Sequence, residues 1–299
     1  MERRQQVIIR DILEYLNPFF LISGILSYLL GSMINGFLGN PLKIDLFLIG
    51  LALILTVILS AALIRSYVNF TKKQTSRKAL GNNKEANARM FLLAGLGILL
   101  MFVALWIMLL QQTHKLTSAG WILTAVLVIL ALVKCLPKME AVLLPYQCIL
   151  NGFLIAAIIP GFSLALQSGE LHRLLVMVSL PLMVLYIAVD IALAFPLYAE
   201  DIRQKRESIL ILLGWPRGLF LHNFLILLGF LSIGVSSMIG LPWPIAWPVL
   251  LILPIGVFQI WQLYLISRGG KPNWLLLRWT AYALFNTTLY MMIFAFWIN

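Results

Sequence analysis

The chain has 299 residues, 62% of them hydrophobic and only 11% charged, with a mean hydropathy of +0.97. A soluble domain carries about 25% charged residues, so a soluble fold is excluded and the solvent is a bilayer. A net charge of +11 reads as the excess of Lys and Arg that membrane proteins keep in cytoplasmic loops. Nucleic-acid binding is excluded in turn, because no aromatic-plus-basic motif and no zinc-ligand spacing accompanies the charge.

Nine apolar segments of spanning length follow one another, at approximately 16–38, 46–66, 90–110, 119–136, 141–167, 174–197, 219–240, 245–266 and 274–297. The first is long enough to cross the bilayer and lacks a signal-peptide cleavage pattern. The fourth is short and stops at Pro137, and the fifth contains Pro145 and Pro160, which predict a kink. The fold class is therefore all-α: one polytopic membrane bundle of about nine helices, with residues 1–299 forming a single integral-membrane domain.

Orientation follows from the loops. Arg3, Arg4 and Arg10 precede the first span, and Arg65, Lys72, Lys73, Arg77, Lys78, Lys84 and Arg89 lie around the second–third connection. The other even-to-odd connections carry nine more Lys and Arg, whereas the opposite side has only Lys43, Lys115 and Arg173. The positive-inside rule then puts the N-terminus in the cytoplasm and, with nine spans, the C-terminus outside. The expected location is a prokaryotic plasma membrane. Cys135 and Cys148 fall near cytoplasmic span ends, where a disulfide is not expected. Trp243, Trp247 and Trp274 sit near span ends as interfacial anchors.

The two longest connections, about 67–89 and 198–218, share the cytoplasmic side. Connections longer than a turn needs are where function tends to sit. Asp190 stands inside the sixth span, and a carboxylate at membrane depth is a functional candidate by default. Its alternative is an acid paired with a Tyr, Asn or Lys of a neighbouring helix, or kept neutral. On a continuing helix Asp190, Leu197 and Asp201 share a face within about 40°. Asn87, Gln147 and Asn151 are candidates for bonds between helices. His114, His172 and His222 share no ligand spacing.

Several fragments together carry a family resemblance. Leu13 to Gly31, with Asn17-Pro18 before the first helix, resembles the opening of UbiA-type membrane prenyltransferases. Gln167 to Leu171 followed by Ser179 to Leu182 is similar to the branch that prenylates dihydroxynaphthoate. Phe195-Pro196 through Glu200-Asp201, then Arg206, Ser208 and Leu213-Gly214, resembles the family's second motif and its exit into the next helix. The resemblance implies nine helices around a cavity open sideways to lipid, its cytoplasmic mouth near Arg65–Lys73 and Asp201–Arg206. It also implies transfer of a polyprenyl chain from its diphosphate to an acceptor, often aromatic. In the family, carboxylates of two motifs hold Mg²⁺, which neutralises the departing diphosphate.

Matched residue by residue, the first motif's Asn falls on Arg65 and its three Asp on Ser66, Asn69 and Lys73. The second motif's first Asp falls on Leu197, and only Asp201 is kept, followed by Arg206 and Ser208. Arg65, Ser66, Asn69, Lys73, Arg206 and Ser208 are thus the expected substrate-binding positions. Asp201 and Asp190 are the catalytic candidates, and Asp201 with Glu200 the weak candidates for metal. The alternatives are a juxtamembrane segment held at anionic lipid and a solvated ion-pair cluster around Asp201. Replacement of most motif carboxylates predicts lost or altered Mg²⁺-dependent transfer. The competing functions are a non-catalytic protein that binds a prenyl lipid, a quinone or an anionic lipid, or serves as a membrane subunit, and a small transporter. Against transport, buried acids are few and no paired broken helices occur in matching halves.

Overall fold

The computed structural model describes residues 18–76, 83–112, 117–133 and 142–299, and of residues 65–76, 83–92 and 94 the backbone alone. Cys135, His114 and Lys138 lie outside the described residues. Among the described residues nine long apolar helices follow in order: α1 Pro18–Phe37, α2 Ile44–Ser76, α3 Asn83–Gln112, α4 Ser118–Val133, α5 Leu144–Ser168, α6 Arg173–Gln204, α7 Trp215–Ile239, α8 Trp243–Ser267 and α9 Trp274–Ile298. Eight are long enough to cross a membrane, and α4, at 16 residues, is the shorter one. No strand occurs among the described residues.

Local chemistry sets the helix ends. The His172 ring accepts a hydrogen bond from the Leu174 N–H at 3.3 Å and caps α6, and the Asn273 side chain caps α9 through the Leu276 N–H at 3.1 Å. Gly169, at φ 88°, closes α5 in the left-handed conformation that suits glycine.

Two details lie beyond the hydropathy pattern. The connection at 198–218 is partly helical: α6 runs on to Gln204, a short helix occupies Ile209–Leu213, and α7 starts at Trp215. Helix α8 breaks at Leu251-Ile252 between Trp243–Leu250 and Leu253–Ser267. Pro254 has no N–H to donate to Leu250, which makes this the natural place for a break.

Four helices, α1, α5, α6 and α9, form the centre. α1 packs on α9 and on the second half of α5, while α6 packs on α9, α7 and the first half of α5. Small residues bring the backbones close: a Cβ on Gly31 of α1 would overlap the Pro160 carbonyl of α5. Ser32 and Ser163 share a hydrogen bond at 2.8 Å across the same contact. The predicted kink of α5 is a π-turn over Leu154–Ile158, just before Pro160. Proline cannot bond back to the carbonyl four residues earlier, and the widened turn absorbs the mismatch.

The α1–α9 seam is closed along its length. Phe19 stacks on Tyr282 with centroids 4.5 Å apart, Ser23 donates to Asn286 at 3.0 Å, and Phe37 meets Phe296 edge-on. By contrast α2, α3 and α4 leave a small apolar crevice between them, lined by Val57, Ser60, Val103, Val128, Ala131 and Leu132. At the far end of the bundle the Lys43 ammonium and backbone N–H both bond to Gln167, tying the α1–α2 turn to the end of α5.

Candidate functional site

The end of α6 builds the outer half of the site. After Asp190 the helix tightens into a 3₁₀ turn at Phe195–Leu197 and resumes at Tyr198. A 3₁₀ turn advances each residue by about 120° instead of 100°, so the shared face expected of Asp190, Leu197 and Asp201 is not kept. Leu197 is exposed at 49%, whereas Asp201 is buried at 7%.

The helix ends at Lys205, which takes a left-handed φ of 53° without being glycine. The Arg206 N–H bonds the Asp201 carbonyl at 3.0 Å and the Lys205 N–H bonds that of Ile202 at 3.2 Å. This is the paired-bond pattern that reverses a chain at a helix C-terminus. It folds Arg206 back, so that its guanidinium Nη1 stands 3.9 Å from Asp201 Oδ1. Glu200 points elsewhere and accepts from Gln204 Nε2 at 2.6 Å. Ser208 Oγ is buried without a hydrogen-bond partner.

α2 starts at the Lys43 end, so its extension through Arg65, Ser66, Asn69 and Lys73 runs toward the Asp201 end as continuous helix. The side chains of these four lie outside the described residues.

The inner half lies deeper. Asp190 on α6 accepts a hydrogen bond from Asn151 Nδ2 on α5 at 3.0 Å, an acid paired with an amide of the neighbouring helix. Cys148, Tyr186 and Tyr282 share its electrostatic neighbourhood. Tyr186 packs edge-on against Phe285 at 5.0 Å and stacks on Phe19 at 5.8 Å. The result is a carboxylate beside an aromatic wall at membrane depth. Cys148 is a buried free thiol.

Among the described residues the donor set does not suit Mg²⁺. That ion requires near-octahedral oxygen ligation, usually with more than one carboxylate or substrate phosphates. Asp201 already has a guanidinium 3.9 Å away, and Glu200 is turned to Gln204. Among the described residues no three His, Cys, Asp or Glu side chains gather as a metal site would need.

No protein-family model and no curated protein matches this sequence. Solved structures do. The chain is 14% identical to a digeranylgeranylglyceryl phosphate synthase, with a TM-score of 0.62 over 97% of this chain and 98% of that one. It is 16% identical to a UbiA homolog from Archaeoglobus fulgidus solved with GPP and Mg²⁺, with a TM-score of 0.62 over 95% and 99% of the two chains. A UbiA homolog from Aeropyrum pernix K1 gives 14% and 0.51 over 96% and 97%. The chain is thus a multi-pass helical membrane protein with the UbiA-type fold.

Proposed function

We propose that this protein binds a polyprenyl diphosphate, or an anionic prenyl lipid like it, through cations rather than through a metal, and that ordinary Mg²⁺-dependent prenyl transfer is absent or slow. The observation that carries the reading is the pairing of Asp201 with Arg206. The one motif carboxylate that the resemblance keeps is buried with a guanidinium 3.9 Å away, so a dication there would meet a cation already in place. The same turn leaves Arg206 more than half exposed, and a guanidinium fork suits phosphate oxygens. Arg65 and Lys73, at positions that match an amide and an acid in the family motif, supply further positive charge.

In this reading the head group lies on the cytoplasmic side, the N-terminus is cytoplasmic, and the chain length and acceptor stay open. Fold alone does not decide function; the proposal rests on the charges. Loss of several transition-state electrostatic contributions, each worth a few kcal/mol, slows transfer by many powers of ten.

The test is a titration of purified protein with geranyl diphosphate and a longer homologue, with and without EDTA. Binding is expected to survive chelation and to weaken about tenfold or more in Arg206→Gln, the worth of one charged hydrogen bond. A large loss on chelation that Mg²⁺ restores overturns the metal-free reading. Robust turnover with an aromatic acceptor that Asp201→Ala abolishes makes the protein a working transferase. A prenylated quinone that copurifies and competes for the site instead identifies a non-catalytic binder.

A further inference from the structure

The crevice between α2, α3 and α4 has a definite depth in the membrane. Thr117, just before α4, lies against Gly169 at the end of α5, so the α3–α4 connection belongs to the Lys43 end of the bundle. Val103 of α3 and Val128 of α4 line the crevice. At 1.5 Å per residue each lies about 15 Å from that connection. In a hydrocarbon core about 30 Å thick, the crevice therefore starts near mid-depth. It continues through Ala131 and Leu132 towards the Asp201 end.

Its third wall is Val57, Ser60 and Ala61 of α2. Ala61 precedes Arg65 by one helical turn, about 6 Å along the axis, and the helix is continuous from there through Lys73. The helix that walls the crevice thus also carries the cations assigned above to a diphosphate.

The chemistry of the walls asks for hydrocarbon. Ser60 is the one polar side chain lining the crevice, and its hydroxyl already donates to the Thr56 carbonyl at 2.7 Å. The short side chains of Ser60, Ala61 and Ala131 leave the space. At the rim Leu100 of α3 and Leu132 of α4 are 43% and 40% exposed, so an occupant can continue into lipid. The crevice is small and suits a stretch of one chain, not a ring system. Between α1 and α9 the stacked Phe19 and Tyr282 and the pair Phe37 and Phe296 shut the seam.

We propose that this crevice holds part of the prenyl chain whose diphosphate lies at Arg65–Lys73 and Arg206, an inference that rests on the metal-free diphosphate reading. Apolar contact gains little by itself in a bilayer. What the crevice adds is the van der Waals contact that an unfilled gap forfeits. It therefore selects a chain by shape more than it tightens binding.

The test uses the full chain in nanodiscs and geranylgeranyl diphosphate with a diazirine on its chain, irradiated and mapped by peptide mass spectrometry. The label is expected on Val57–Ala61, Leu100–Val103 and Val128–Leu132. Excess unlabelled geranylgeranyl diphosphate should remove it, and straight-chain hexadecyl diphosphate should do so less well. Ala131→Phe fills the crevice and should bring its labelling to background; Leu132→Trp at the exposed rim replaces it if that variant does not fold. The same probe as the free alcohol separates the two readings. Crevice label from the alcohol with no binding of the diphosphate overturns the head-group reading and supports the crevice as a prenyl site. Diphosphate binding with the label on α1, α6 or α9 overturns the crevice proposal and leaves the head-group reading standing. Equal competition by the straight chain, or label unchanged in the filled variants, also overturns the crevice proposal.

Discussion

The central quartet and the α2–α4 flank obey different packing rules within one bilayer solvent. In the spanning windows of the quartet 44–72% of residues are buried, against 39% in α2 and 11% in α3. Apolar side chains gain little by leaving lipid for protein, so association within a membrane depends on close backbone approach and polar bonds. The quartet has both: Gly31 against Pro160, Ser32 with Ser163, Ser23 with Asn286, and Asn151 with Asp190. In the flank the described hydroxyls bond within their own helices, as Thr56 and Ser60 of α2 do to carbonyls one turn back. That difference separates the two halves of the proposed site. The Asp201 turn is anchored on the rigid quartet, while the Arg65–Lys73 segment extends from the looser flank.

Substitutions sharpen the contrast, and the largest effect falls in the quartet. Phe19→Ala removes a buried ring that stacks on Tyr282 and touches Tyr186 and Phe285; it should cost about 3–5 kcal/mol in detergent unfolding. Gly31→Ala pushes a methyl group into the Pro160 carbonyl and should cost about 1–3 kcal/mol or more. Asn151→Leu removes a donor to Asp190 and should cost about 1–3 kcal/mol, a value a thermal-shift series can rank against the other two. On the flank, Gly97→Ala meets nothing within 4 Å and should stabilise α3 by up to about 1 kcal/mol. If Gly97→Ala destabilises as much as Gly31→Ala, the two regions do not differ in packing and the contrast collapses.

Hydropathy and the distribution of Lys and Arg sufficed for the number and order of the helices, because each span must satisfy its backbone internally and announces itself by length. Asp190 is conspicuous for the same reason, as a lone acid in an apolar run, and Asn151 is among the sequence's candidates for a bond between helices, a bond it makes to Asp190. What escaped depends on contacts across helices. The bonds of Lys43 to Gln167 join residues far apart in the chain that share no sequence spacing. The 3₁₀ turn at Phe195–Leu197 also escaped, and with it the different exposures of Leu197 and Asp201. Pro196 was its only local sign. The left-handed Lys205 has no sequence signature, because glycine is the residue that normally advertises such a turn.

The widened turn at Leu154–Ile158 puts α5 out of phase with itself. Its first half offers Asn151 to α6, and its second half offers Ser163 to α1. A π-turn of this kind amounts to one extra residue in an otherwise regular helix, a difference too small for any hydropathy window. Set beside a relative that lacks it, a gap-free alignment matches one half correctly and shifts the other by a single column. Residue roles copied across α5 at 14–16% identity then go wrong in a systematic way, moving every side chain by about 100° around the helix axis. Comparisons within this fold should therefore be anchored twice along α5, once on each side of the turn.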